Sequence, residues 1–206
     1  MRALLFSATQ RSLVEATRIH QGKLPTPGRQ GFGWHVRTEA SDASTGSQGA
    51  ERCHQHARFM DQAIEQAELA YSSGEVPVGA VLVNPDGEVV SRGFNKTEAE
   101  GDPTSHAEMN CNRQAAGMRG GWRLLDCTLY VTLEPCPMCA GAILQSRVGT
   151  VVYGARNALL GADGSWIRMF DRELPHPFHP RIQVIPGVRE EECARLMKHF
   201  FRERRG

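Results

Sequence analysis

The chain has 206 residues, of which 40% are hydrophobic and 23% charged, and its formal net charge is +1. This length allows one domain of roughly 150 residues and an additional segment. No apolar run approaches the roughly 20 residues of a membrane-spanning helix, so we expect no membrane partner. Because the charges nearly balance, any nucleic acid must bind to a local basic patch rather than to the molecule as a whole.

The first 50 residues differ in composition from the rest. Residues 1–38 hold six basic side chains and one acidic side chain, and residues 1–18 combine Arg, Ser and Thr with scattered apolar residues, as organelle transit peptides do. Residues 19–50 bury too little apolar surface to form a core. We interpret residues 1–50 as a plastid transit peptide and disordered linker. A mitochondrial signal, a disordered extension of a cytoplasmic or bacterial protein and a misplaced start are the alternatives.

Residues 51–206 have the pattern of a folded domain in which helices alternate with strands. The predicted helices are 54–73, 106–116, 135–145 and 190–204, with a weaker helical pattern at 166–170. The predicted strands are 76–84, 88–95, 128–133, 148–153 and a short one at 181–186. This order predicts a three-layer α/β/α domain with a mixed sheet of roughly five strands.

The chain contains six cysteines, and two of them have the close spacing of a metal site. These two are Cys136 and Cys139, in the sequence Pro-Cys-Pro-Met-Cys. A chain of this size with one such pair favours reduced thiols and a metal over a disulfide framework.

A histidine and a glutamate thirty residues earlier complete the pattern. A catalytic zinc commonly has three protein ligands and one open position for water. We predict that His106, Cys136 and Cys139 are the ligands, because both groups fall at predicted helix starts, where free N–H groups and the helix dipole favour thiolates. Glu108 is then free to transfer protons in a hydrolytic reaction.

A structural zinc site and a redox pair are the simpler alternatives. A structural zinc needs a fourth protein ligand, for which Cys111 and Cys127 are the available thiols. Neither alternative accounts for Glu108, and a redox pair also leaves His106 without a function.

The pattern His-x-Glu followed by Pro-Cys-x-x-Cys resembles the signature of the cytidine-deaminase-like zinc deaminases. Further segments resemble the bacterial and plastid tRNA-specific adenosine deaminases, at 75–83, 93–95, 102–108, 128–147 and 152–156. The resemblance covers roughly residues 54–206. It implies the cytidine-deaminase-like fold, one zinc ion per subunit, no nucleotide cofactor and a homodimer. It also implies deamination of adenosine to inosine at the wobble position of a tRNA anticodon, that of arginine tRNA above all.

The resemblance also assigns roles to single residues. Asn95 would hold the flipped nucleotide, while Val76, Leu133 and the backbone near Ala107 would form the walls of the base pocket. Basic and polar residues near the pocket and in the last helix would contact the anticodon stem-loop, namely Arg147, Arg156, Asn157, Arg202, Arg204 and Arg205. Asn157 stands where the family frequently has an aspartate, so the preference for one anticodon loop stays open.

Two rival functions share parts of this pattern. Deaminases of free cytidine, deoxycytidylate or guanine have the same metal signature. A non-catalytic RNA-binding subunit often lacks the proton-transferring glutamate, which is present in this chain as Glu108. The aromatic residues are ambiguous as well. We expect Trp122 in the core, and for Phe170 core packing and base stacking are equal alternatives.

Overall fold

The computed structural model describes residues 44–171, 173, 176, 177, 179 and 181–205. Residues 1–43 of the predicted transit peptide and linker lie outside these residues, whereas residues 44–50 belong to a helix and not to a disordered linker, contrary to the prediction. The helices and strands are α1 Ser44–Ser72, β1 Gly79–Val83, β2 Val89–Phe94, α2 Thr97–Glu100, α3 Ala107–Arg119, β3 Thr128–Leu133, α4 Pro137–Ser146, β4 Thr150–Ala155, β5 Gln183–Ile185 and α5 Glu190–Glu203. No helix in this described part is both long and apolar enough to cross a membrane.

The five strands form one mixed sheet in the order β2-β1-β3-β4-β5. Strand β1 runs antiparallel to both of its neighbours, whereas β3, β4 and β5 are parallel to one another. Parallel neighbours need a crossover connection, and α4 provides it between β3 and β4. The predicted mixed, five-stranded sheet is confirmed.

Helices cover both faces of the sheet. Successive side chains of a strand point to opposite faces, and in β1 this places Ala80 and Leu82 in one buried cluster and Val81 and Val83 in another. The first cluster lies under α3 and α4, and the second lies under α1 and α5. The predicted three-layer α/β/α arrangement is therefore confirmed.

Gly93 allows α3 to approach the sheet closely. A Cβ atom at Gly93 would lie 2.5 Å from the carbonyl oxygen of Ala107, far inside van der Waals contact. Since Ala107 begins α3, this contact fixes the height of the helix turn that carries His106 and Glu108 above the sheet.

We expect the substitution Gly93→Ala to lower the free energy of unfolding by about 1–3 kcal/mol, because the added methyl group must displace α3. Gly117 is a matched control within α3, where an added Cβ meets nothing within 4 Å. Gly117→Ala should stabilise the protein by about 0.5–1 kcal/mol, through its higher helix propensity. Urea unfolding followed by circular dichroism measures both changes, and equal effects would contradict the close approach.

Two predicted element boundaries are wrong. Helix α1 begins at Ser44, ten residues before the predicted start. Helix α3 continues through Gly117 to Arg119, and the left-handed Gly120 ends it. A glycine inside a helix costs only about 1 kcal/mol, so packing of α3 against the sheet outweighs the propensity on which the predicted break at Gly117 was based.

The predicted helical turn at 166–170 is also wrong. The N–H groups of Trp166 and Ile167 both donate to the carbonyl oxygen of Gly161, and the N–H of Gly164 donates to Ile167. These hydrogen bonds hold the segment in a compact loop, and an α-helix could not form them. Phe170 is buried in the core under α3 and α4, which decides between its two alternatives.

Trp122 is not a core residue, contrary to the prediction. Its side chain is 51% exposed in the turn after α3. The guanidinium carbon of Arg123 lies 4.2 Å from the Trp122 ring centroid, and that of Arg147 lies 5.4 Å from it. The ring therefore gains cation–π contacts at the surface instead of burial.

Candidate active site

The three predicted zinc ligands meet where α3 and α4 begin. His106 precedes α3, Cys136 precedes α4, and Cys139 lies in the first turn of α4. The Nδ1 atom of His106 is 3.6 Å from the Sγ atom of Cys136 and 3.5 Å from that of Cys139. Tetrahedral zinc with bonds of about 2.0 Å to nitrogen and about 2.3 Å to sulfur separates such donors by about 3.5 Å. The donor set therefore fits zinc.

The backbone at the helix starts leaves these side chains free to bind a metal. His106 and Cys136 both have extended conformations, and neither side chain caps its own helix. Pro137 follows as the first residue of α4, where its missing N–H has no consequence. The N–H groups of both first turns have no partner within their own helices, and that of Ala107 donates to the side chain of Asn95.

The pKa values of the two ligand thiols shift in opposite directions. A hydrogen bond with Cys139 lowers the pKa of Cys136 to about 4, and the same contact raises the pKa of Cys139. One proton is thus shared between them. Since zinc binds thiolates, its arrival would release that proton.

Among the described residues, the metal-binding group has three members and no fourth protein ligand. The thiol of Cys111 is 3.1 Å from the hydroxyl oxygen of Ser91. The guanidinium of Arg119 donates to the thiol of Cys127 over 2.7 Å. Neither cysteine belongs to the cluster, so the arrangement corresponds to a catalytic zinc site with an open position.

Glu108 lies next to the cluster, on the second residue of α3. It is buried but faces the same pocket as His106 and Cys136. Burial raises the pKa of Glu108 to about 6, while the nearby His106 ring opposes that rise. A carboxyl group in this setting can both accept and donate a proton near neutral pH.

A pocket of about 380 Å³ opens over Glu108. Val76 and Leu133 give it apolar lining, and Asn95 also lines it; their contacts with a base stay predictions. Ala107 is buried behind the pocket, where its backbone begins α3. A larger and more open groove between α1 and α5 contains none of the metal ligands.

Asn95 uses its side chain to hold the pocket together. Its Nδ2 atom donates to the carbonyl oxygen of Val76 over 3.1 Å, and its Oδ1 atom accepts the N–H of Ala107 over 2.9 Å. One amide thus joins the pocket wall to the helix that carries Glu108. The contact of Asn95 with a nucleotide stays a prediction.

Three of the predicted RNA-contact residues lie at or beside the pocket. Asn157 and Arg204 line it. The guanidinium of Arg204 also donates to the carbonyl oxygen of Gly74 and lies 4.4 Å from the Phe200 ring centroid. Arg156 is exposed next to Asn157, with its guanidinium over the ring of Tyr153. Their contacts with RNA stay predictions.

The other three lie further away. Arg202 and Arg205 line a shallow depression beside the pocket, together with Phe201. Arg147 follows the last residue of α4, and Cys136 precedes the first. The ten residues of the helix separate the two by about 15 Å. The structure therefore does not bring Arg147 together with the pocket.

Several lining residues were not predicted. Leu159 and Leu160 reach the pocket from the loop after β4, Met197 and Phe201 reach it from α5, and Glu134 lies beneath the loop. The two adjacent leucines in a loop of otherwise small and polar residues were the available signal. Glu134 gave a weaker signal as a charged residue between a buried strand and Cys136.

Residues 53–155 match the family described as the cytidine and deoxycytidylate deaminase zinc-binding region. With the three-layer fold and the three-ligand site, this match places the chain in the class of zinc-dependent deaminases.

The chain is 54% identical over 159 residues to the chloroplastic tRNA(adenine(34)) deaminase of Arabidopsis thaliana, an alignment that covers 71% of this chain but 12% of that protein. It is 46% identical over 147 residues to the tRNA-specific adenosine deaminase of Bacillus subtilis, covering 71% and 89% of the two chains. A solved structure from work on A-to-I editing by tRNA:A34 deaminases matches with a TM-score of 0.63 and 42% identity, over 68% of this chain and 98% of that one. The chain therefore belongs to the family of tRNA-specific adenosine deaminases.

Proposed function

We propose that this protein converts adenosine to inosine at the wobble position of a tRNA anticodon, with arginine tRNA as the first candidate. The observation that carries the proposal is the placement of Glu108 beside a three-ligand cluster at the base of an apolar pocket. The similarity to relatives named as tRNA-specific adenosine deaminases supports the choice of RNA over a free base.

His106, Cys136 and Cys139 would hold the zinc ion, which supplies Lewis acidity that makes water a nucleophile near neutral pH. Glu108 then moves protons. Its carboxylate takes the proton that water loses as oxygen attacks C6 of adenine, and returns it to N1. Glu108 next carries the remaining hydroxyl proton to the exocyclic amine. The C6–N bond breaks, ammonia leaves, and inosine remains.

The pocket favours a nucleotide that is already outside a helical stack. Its volume of about 380 Å³ suits one base with its ribose, and Val76 and Leu133 offer apolar faces to a purine. Extruding a base costs a few kcal/mol and least in a single-stranded loop. An anticodon loop meets this requirement better than a duplex does.

Incubation with plastid arginine tRNA, followed by sequencing for inosine, tests the proposal. We expect inosine at the first anticodon position and no other modified adenosine. Absence of inosine together with ammonia release from free cytidine, deoxycytidylate or guanine would favour the free-base alternative. RNA binding without any deamination would favour a non-catalytic subunit.

We also propose that the protein acts as a homodimer through the outer face of α3 and α4. Asn112 is 7% exposed, and both polar atoms of its side chain lack a hydrogen-bond partner among the described residues. It lines a cleft with Met109, Ala142 and the exposed Trp122. An unsatisfied buried amide costs about 1–3 kcal/mol, and a second copy could supply its partners.

We expect Trp122→Glu to shift the protein from dimer to monomer, because it places a charge within a self-complementary contact. Sedimentation velocity measures the change. Leu69→Glu is the control, since Leu69 is similarly exposed but lies on α1, on the other side of the sheet. If Leu69→Glu dissociates the dimer and Trp122→Glu does not, the interface lies elsewhere.

A plastid location is the remaining proposal. It is supported by the basic, acid-poor composition of residues 1–38 and by the similarity to a relative named as chloroplastic. Residues 1–50 fused to a fluorescent protein should direct it into isolated chloroplasts. Import into mitochondria, or no import at all, would contradict the proposal.

A further inference from the structure

Residues 157–165, which we call the pocket loop, form one wall of the active-site pocket. The loop contributes Asn157, Leu159 and Leu160 to the lining. Leu159 is 83% exposed and Leu160 is 51% exposed, so burial of apolar surface contributes little to holding this part of the loop. Its conformation must be fixed by other contacts.

Those contacts converge on the carboxylate of Glu134, which is 1% exposed. Its Oε2 atom accepts the N–H of Asn157 over 3.0 Å and the hydroxyl of Ser165. Its Oε1 atom accepts the N–H of Asp163 over 2.8 Å and that of Ser165 over 3.4 Å. Both ends of the pocket loop are thus bound to one carboxylate, and hydrogen bonds to a charged acceptor are roughly twice as strong as neutral ones.

The loop is also shaped to the size of that side chain. A Cβ atom at Gly161 would clash with all three atoms of the Glu134 carboxyl group. The adjacent Ala162 donates its N–H to the carbonyl oxygen of Pro135 over 2.9 Å. The loop backbone therefore closes directly over Glu134 and Pro135, the two residues that precede the metal ligand Cys136.

We propose that Glu134 is a positioning residue that sets the affinity of the pocket for its RNA substrate by holding the pocket loop in its binding conformation. The inference rests on the function proposed above, because it concerns the same pocket. Leu159 and Leu160 then present apolar surface to the bases on either side of the edited nucleotide. A wall that is ordered in advance binds a flexible RNA loop without an additional ordering cost.

The substitution Glu134→Gln tests this, because the amide keeps the size of the side chain but replaces one acceptor by a donor that faces N–H groups. We expect KM for the tRNA to rise roughly 10-fold, because the substitution weakens the charge-assisted hydrogen bonds that hold the pocket loop. The kcat at saturating tRNA and the zinc content should stay close to wild type. Glu65→Gln, at an exposed position of α1, is the control and should change none of these quantities.

Hydrogen exchange gives a readout that does not depend on activity. The amides of Asn157 and Asp163 should be protected in the wild type and exchange faster in Glu134→Gln. Gly161→Ala should raise KM in the wild-type background, and this effect should largely disappear in a Glu134→Ala background, because the clash is with the carboxyl group. If Glu134→Gln does not fold, Ser165→Ala removes a single donor and should give a smaller increase in KM.

An unchanged KM despite faster loop exchange would overturn the inference, and so would a fall in kcat with KM unchanged, because Glu134 would then act in the chemistry. Unchanged exchange at the loop amides would overturn it as well. If the wild type deaminates a free base instead of tRNA, the proposed function fails, whereas the KM and exchange measurements on that substrate still test Glu134.

Discussion

Replacing Glu108 by glutamine should abolish deamination while leaving the zinc site intact. The amide preserves the shape of the buried side chain but cannot accept the proton that water loses, and general acid–base catalysis of this kind contributes about 10²–10⁴-fold. We expect kcat to fall by about 10³-fold or more, since the same group acts in two successive proton transfers. Inosine formation in a single turnover measures the loss.

Zinc content separates this effect from damage to the site. Glu108→Gln should retain about one zinc per chain, as in known three-ligand catalytic sites, because the structure places Glu108 beside the ligands and outside the metal-binding group. Glu98→Gln is a matched control, since Glu98 also lines the pocket but is exposed. Loss of zinc from Glu108→Gln would mean that Glu108 is a ligand, and retained activity would remove it from the proton transfers.

Replacing Cys139 by serine should remove both zinc and activity. Cys139 is fully buried, and a neutral hydroxyl is a far poorer ligand for zinc than a thiolate. We expect the zinc content to fall close to zero and activity to fall by more than about 10³-fold, because the activated water is lost with the metal. Metal analysis and an inosine assay on the same preparation provide both values.

Cys53→Ser is the control, because Cys53 is an exposed cysteine on α1. It should keep full zinc content and activity. A chelator should reproduce the Cys139→Ser phenotype in the wild type, and added zinc should restore activity to the wild type but not to the variant. Restoration of the variant would show that two protein ligands are sufficient.

The sequence predicted the chemistry of the site because that information is local. His106 and Glu108 are two residues apart, and Cys136 and Cys139 are three apart, so each pair is placed by a single helix start. The alternation of helices and strands in turn required a three-layer arrangement with helices on both faces. Chemistry and fold class thus follow from short-range patterns.

Other features depended on contacts between distant parts of the chain. Trp122 is exposed, and two arginines, one of them 25 positions away in the sequence, lie beside its ring. The segment 166–170 is not helical because its N–H groups bond back to Gly161. Composition and periodicity do not contain these contacts.

From the sequence by itself came the class of fold, the three residues that the structure brings together as a metal-binding group, and a proton carrier that stays a prediction, because residue type and spacing set those properties. Only the tertiary structure decided what surrounds the site. The side chain of Asn95 links the pocket wall to α3 by two hydrogen bonds, and Arg147 lies at the far end of α4. The pocket loop packs over Glu134 and bonds to its carboxylate. The physical reason is that a buried amide or carboxylate forms hydrogen bonds with whichever backbone groups the fold brings close to it.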